Sequence, residues 1–496
     1  MKTALFLSTI LVLNDVHVVE SFTGSLGGRS LLKGRREAIS LASTVPAAQT
    51  DDSGTLVSLD SFAPNYESPA NELPGSSVLS NAALVAGNMI GAGVLALPQV
   101  TEAPGFLLSS GAMILTWGYC VASGLIVAEC AGDGRDSIQE MAEASIGQTA
   151  GNFMCATFLA SNYLLLIAYI CQGSSLISNL LILPTNWCPS FLMQCMTEFH
   201  LAPLVFTAAI GCASLWGPAH IVENVNTALV GLVGLSFVGL LGTGIPHMDV
   251  PSLGLTPDSS ALPAMLPVAI CALTFQNVVP AVSKNLGGDA AKIRSSLAIG
   301  SGVPLCIYVL WNAVVLGNAG FFDTSVGADL SPMDSLAASS PILGLLVAVF
   351  SLSAIVTSFW GAAFSLMIEC THLVDALVTS GSLLDTRGQF PMADDADSIS
   401  EVARHDGIVK TAAATLVLVP PALVSVACPD SFLSALQYTG TYVDPFLYGL
   451  APAVMAYRLR DGANHNEQMP GGSGSLFSIA ALTAGYMTWQ TFLNVV

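Results

Sequence analysis

The chain has 496 residues, of which 53% are hydrophobic and only 10% charged, with a mean hydropathy of +0.67. A soluble domain carries about 25% charged residues, so the composition excludes one and indicates an all-α polytopic membrane protein. The formal net charge of −20 argues against nucleic acid or anionic lipid as a partner. It comes mostly from acidic segments outside the apolar stretches, such as 51–72 and 394–406.

The first 77 residues stand apart from the apolar pattern. Residues 1–21 read as a secretory signal peptide, with Lys2, an apolar run over 4–13, and Val19 and Ser21 ahead of a cut before Phe22. Residues 22–48 are rich in Ser and carry Arg29, Lys33, Arg35 and Arg36 against Glu37 alone, the composition of an organelle transit peptide. A signal peptide joined at a Phe to such a segment resembles the bipartite leaders of algae with secondary plastids. That implies delivery to a plastid membrane, the inner envelope first, with an endomembrane as the alternative. Residues 49–77 read as an acidic, disordered linker.

From residue 78 onward, apolar stretches long enough to cross a hydrocarbon core of about 30 Å predict eleven spans. They cover 78–101, 104–130, 152–182, 201–216, 222–245, 262–281, 297–317, 341–375, 409–428, 432–457 and 475–496. Basic residues test this count, because Lys and Arg are retained on the side of insertion. Arg135 follows the second span; Lys284, Lys292 and Arg294 the sixth; Arg387, Arg404 and Lys410 the eighth; Arg458 and Arg460 the tenth. All fall on one face, and the loops after the odd-numbered spans contain none. Five spans per half is an odd number, so 78–245 and 262–457 form an inverted repeat, with 475–496 as an extra helix.

Two spans have interrupted middles. The first contains Gly87-Asn88-Met89-Ile90-Gly91-Ala92-Gly93, and the sixth Leu273-Thr274-Phe275-Gln276-Asn277-Val278-Val279-Pro280. Each glycine weakens a helix by roughly 1 kcal/mol relative to alanine. In hydrocarbon, a freed backbone group survives only where it lines a cavity. Matching breaks in the two halves point to a midplane site in a transporter, where exposed amides and half-helix N-termini hold an anionic group such as the carboxylate of an amino acid. Asn88, Met89, Ile90, Gly91, Ala92 and Gly93 are the expected amide donors; the alternative is close packing through small residues.

These two motifs, together with Lys284-Asn285-Leu286-Gly287-Gly288-Asp289 and Ile299-Gly300-Ser301-Gly302-Val303-Pro304, resemble the tryptophan/tyrosine permease family. That family sits within the amino acid, polyamine and organocation superfamily. The resemblance covers residue 78 to the C-terminus. It implies the leucine-transporter-like fold of five plus five inverted spans, transport of aromatic amino acids, and coupling to protons. It also implies that carbonyls around Thr274 and Phe275 receive the ammonium group, and that the Phe275 ring can stack on an aromatic substrate. Tyr163 in the third span and Ser353, Thr357 and Ser358 in the eighth face the same region, as ligands or as ordinary inter-helix hydrogen bonds. Bacterial relatives often have His where Gln276 stands. An amide cannot titrate, so Gln276 either bonds to substrate or satisfies carbonyls freed by the break.

Ionisable groups at mid-depth cost about 2.5 kcal/mol or more, which makes each a functional candidate. Asp444 lies near the middle of the tenth span, about 20 Å from Arg458 at 1.5 Å per residue. It is the candidate proton carrier, or else the cap of a helix restarted at Pro445. Glu129, Glu223 and Glu369 lie nearer span ends, where water or Arg satisfies them. With Ser353 and Thr357, Asp444 completes the ion-coupling candidates, for a proton or for sodium. No cofactor or metal site is expected, since the eleven cysteines follow no ligand spacing. Cys188 and Cys195 form a short-range pair or stay as thiols. A membrane enzyme would need a cluster that His372 and Asp375, at a solvated helix end, do not supply. A channel or a non-transporting receptor suits closed, broken helices less well than a carrier does.

Overall fold

The computed structural model describes residues 77–182, 201–254, 258–319, 332–385, 395–460 and 467–495. The leader over 1–76 and the pair Cys188 and Cys195 lie outside them. The described chain divides into two compact units, one comprising 370–385 and 395–413 and the other 77–369 and 414–495. The first is the end of one long helix and the start of the next. The second contains both helix breaks.

Every described secondary-structure element is helical. The first span is two helices, Val78–Met89 and Gly93–Thr101, bent by 61° at the glycine-rich break. Ser77 caps it, its hydroxyl accepting the Ser80 amide at 3.1 Å. The second span is Phe106–Cys130, the third Gln148–Ile182 and the fifth Ala219–Gly244. The sixth is Leu262–Leu273, a 3₁₀ turn over Gln276–Val278, then Val279–Asn285. Gly287 and Gly288, at φ +59° and +72°, turn the chain into the seventh span, Ala290–Ala319. Such angles suit only residues without a Cβ. Asp289 caps that helix through the amides of Ala291 and Lys292, and the Lys292 amide holds its carboxyl below the ordinary range.

Several expected boundaries move. The seventh span begins seven residues before 297, the eighth runs on as Pro341–Asp385, and the ninth is the end of a helix over Asp395–Ala427. The extensions of the seventh and ninth carry charged and polar residues, which hydropathy does not count toward a span. Short helices at Ile138–Ser145 and Pro332–Ser339 were not among the expected spans. The eleven apolar stretches are helical over most of their length, and among the described residues seven helices and the bent first pair are long and apolar enough to cross a membrane by themselves. The fourth is short and changes to a wide π turn over Thr207–Gly211. The tenth, Phe432–Tyr438 to Ala451–Arg460, is interrupted by π segments at Thr439–Val443 and Phe446–Leu450. The eleventh, Gly472–Val495, is long but rich in Gly, Ser and Thr.

Small residues let the backbones around the breaks approach. A Cβ on Gly93 would stand 3.1 Å from the Ala272 Cα, and one on Gly300 would stand 2.5 Å from the Ala82 carbonyl oxygen. The first and sixth spans thereby lie against each other and against the second, seventh and tenth. On the basic-residue face, Glu129 at the end of the second span is 1% exposed and meets Arg460 at the end of the tenth, with Oε2 2.8 Å from Nη2. The amides of Gln468 and Met469 also donate to Glu129 Oε2. The expectation that Arg satisfies Glu129 therefore holds, by a fork-to-fork pair.

Candidate functional site

At the first break the helical ladder stops at Met89. The Ala92 amide donates to Ser358 Oγ of the eighth span at 2.8 Å. A Cβ on Gly91 would lie 2.6 Å from that same oxygen, so glycine is required for the approach. Among the described residues, the amides of Gly91 and Gly93 have no acceptor. They lie at the N-terminal end of Gly93–Thr101, where a helix carries about half a positive charge. Gly87 and Asn88 are exposed, Ile90 is half-buried, and Met89 and Ala92 are buried. The Met89 carbonyl accepts a hydrogen bond from the Tyr308 hydroxyl.

The sixth break is organised differently. Gln276 is 2% exposed, and protein groups engage both ends of its amide. Its Oε1 accepts the Phe275 amide at 2.8 Å, while Nε2 donates to Ser123 Oγ at 2.7 Å and the Cys120 carbonyl at 3.2 Å, both in the second span. Gln276 therefore takes a backbone amide at the break, not one of the freed carbonyls, and its own donor goes to the second span. The Phe275 ring is fully buried against Gly124, and a Cβ there would be 3.0 Å from it. In this structure the ring therefore packs on the second span.

The breaks are joined by a reciprocal amide pair. Asn88 Nδ2 donates to Asn277 Oδ1 at 2.9 Å, and Asn277 Nδ2 returns the bond to Asn88 Oδ1 at 3.0 Å. Asn277 was legible only as part of the sixth-span motif; no local signal marked it as the partner of Asn88.

Asp444 is 5% exposed. Its helix does not restart at Pro445: Asp444 and Pro445 both have helical φ and ψ and lie between the two π segments. Capping is therefore not its role. Its carboxylate instead accepts from Ser161 of the third span and from Thr274 at the sixth break, each at 3.4 Å. The Thr274 hydroxyl also lies 2.8 Å from the Ile270 carbonyl. The wide turns are what Pro445 leaves room for, since its missing N–H already opens the ladder.

Other candidates are placed elsewhere. The Tyr163 hydroxyl donates to the Leu416 carbonyl of the ninth span at 2.8 Å, an inter-helix bond. Thr357 donates back to the Ser353 carbonyl of its own helix at 3.0 Å. Ser353 is buried. Glu369 is met by the Cys155 thiol, and Glu223, His372 and Asp375 are exposed. None of the nine described cysteines forms a disulfide, and no metal-binding group occurs among the described residues.

Two further side chains, neither of them among the expected ligands, complete the arrangement. Tyr308 and Ser161 lie in otherwise apolar stretches and become visible only through the partners they find across the fold.

The fold of this chain is similar to that of a solved structure. MhsT in complex with L-phenylalanine matches with a TM-score of 0.53 at 14% identity, covering 85% of this chain and 99% of that one. The fold is leucine-transporter-like. Among curated proteins, the tyrosine-specific transport system 1 of Haemophilus influenzae is 25% identical over 425 residues, covering 83% of this chain and 94% of its own. The tryptophan-specific transport protein of Pseudomonas aeruginosa is 29% identical over 401 residues, covering 77% and 86%. Residues 75–380 and 396–490 match the tryptophan/tyrosine permease family, and at that extent, with both breaks inside the match, the chain belongs to it.

Proposed function

We propose that this protein is a secondary active transporter of aromatic amino acids, tyrosine and tryptophan first, working by alternating access of the repeats 78–245 and 262–457. The observation that carries the reading is the pair of amides at Gly91 and Gly93 that find no acceptor among the described residues, beside a helix N-terminus, while the neighbouring Ala92 amide is taken by Ser358. Open N–H groups beside a helix N-terminus suit a carboxylate. The carbonyls of Thr274 and Phe275 lie across the break and suit the ammonium group of the same molecule. The names of the relatives support an aromatic side chain.

The driving ion in this reading is a proton, carried by Asp444. A buried carboxyl that touches the sixth break through Thr274 links its charge to the state of that break. The leader further supports a plastid membrane as the site of action. A fluorescent fusion to residues 1–60 should reach the plastid, and its retention in the endoplasmic reticulum would defeat that part.

The test of transport is uptake of labelled tyrosine and tryptophan by the purified protein in liposomes, with pH gradient and sodium varied independently. Accumulation driven by an inward proton gradient is the expected result. Failure of every aromatic amino acid to enter would end the reading. Asp444→Asn should keep counterflow and lose gradient-driven accumulation; accumulation at the wild-type level would remove Asp444 from coupling.

A further inference from the structure

The breaks leave several backbone carbonyls without their helical partners, those of Met89 and Ala272 among them. In an unbroken helix Met89 would accept from residue 93 and Ala272 from residue 276. Both are at the C-terminal ends of half-helices, Val78–Met89 and Leu262–Leu273. Each such end carries about half a negative charge. Two of them converging near mid-membrane need a positive group between them, and half-helix C-termini of this kind hold coupling cations in broken-helix transporters.

Here the position is taken. Tyr308 of the seventh span is 0% exposed, and its hydroxyl donates to the Met89 carbonyl and lies 3.3 Å from the Ala272 carbonyl. One neutral O–H therefore faces both helix ends. It supplies positive partial charge without the cost of desolvating an ion, and its oxygen fills the space that an ion would need to reach both carbonyls. The side chain is locked in place by packing, because Gly300, one helical stretch earlier, seats the seventh span on Ala82 and Val85.

We propose that Tyr308 is a positioning residue that stands in for a cation between the two half-helix C-termini, so that the carrier holds its broken spans together without sodium. The inference rests on the transport reading above and adds which ion the site has no use for. It predicts that sodium becomes useful only when the hydroxyl is removed.

The experiment compares wild type with Tyr308→Phe in liposomes, reading exchange of labelled tyrosine in sodium and in choline. Wild-type exchange should be the same in both salts. Tyr308→Phe should fall about tenfold in choline, as expected for about 1.4 kcal/mol lost, and recover severalfold in sodium, which a merely structural loss would not do. A wild-type requirement for sodium overturns the proposal; so does a Tyr308→Phe protein that matches wild type, or one that is impaired and indifferent to sodium. A second measurement needs neither the variant nor transport: sodium titrated against the melting temperature of the wild-type protein should cause no shift, and saturable stabilisation by sodium overturns the proposal. Absence of any wild-type exchange would defeat the transport reading and leave this titration to judge Tyr308.

Discussion

The first break is built on glycine and braced from other spans, whereas the sixth has no glycine between Leu273 and Pro280 and is closed mainly by its own side chain. At the first, Ser358 takes one amide and Tyr308 one carbonyl, and the amides of Gly91 and Gly93 stay open. At the sixth, Gln276 folds back on the Phe275 amide and anchors to Ser123. The two interruptions look alike in sequence, but their chemistry divides the work. At the first break the glycines leave the Gly91 and Gly93 amides open, and at the sixth an amide side chain takes the Phe275 amide and ties the break to the second span.

The largest effect should come from opening the closed break. Gln276→Leu leaves the Phe275 amide without an acceptor in a buried setting and removes the donor to Ser123, a loss of about 3 kcal/mol. Thermal unfolding in detergent would show it, and Gln276→His, with one donor and one acceptor, should recover part. An unchanged melting temperature for the Leu variant would mean that the sixth break is not held by its own side chain.

Filling the open break comes next. Gly91→Val places a Cβ against Ser358 Oγ, within 2.6 Å, and should weaken amino acid binding about 100-fold, equivalent to about 2.8 kcal/mol, with helix content unchanged by circular dichroism. Adding Ser358→Ala should restore part of the affinity, because the clash is with the hydroxyl. Normal binding by the Val variant would move the site away from Gly91.

Ser358→Ala alone tests the external brace and should cost about 1 kcal/mol of stability by freeing the Ala92 amide. The smallest effect is expected where the breaks meet. Asn88→Ala and Asn277→Ala, with their double variant, should show a coupling of about 0.5–1 kcal/mol in thermal stability, since the reciprocal pair is exposed to competing water. Strict additivity would mean that the two amides do not hold the breaks together.

Much of this was legible beforehand. The glycine spacing located the first break between Met89 and Gly93, and the polar interruption located the second at Thr274. Asp444 stood out because a carboxylate in an apolar stretch is rare, and the structure brings it to Thr274. Tyr163 was left open between a ligand and an inter-helix bond, and its bond to Leu416 is of the second kind; a helix face can be inferred only when its neighbours are known. The fourth, tenth and eleventh spans were harder still, since π turns and small polar residues blur the apolar length on which a span is recognised.

Local chemistry along the chain thus determined the membrane class and the two places where helices cannot continue. Those properties depend on residues close in sequence: runs of apolar side chains, glycines within one turn, a proline without its N–H. Which groups would satisfy the interrupted backbone was decided only in three dimensions. Tyr308 reaches Met89 across 219 positions, Ser358 reaches Ala92 across 266 and Ser161 reaches Asp444 across 283. A hydroxyl in an apolar helix has the same local sequence signature whether it back-bonds to its own turn or bridges to another span. Only the packing of the spans, set by glycine contacts such as Gly93 on Ala272 and Gly300 on Ala82, selects between them.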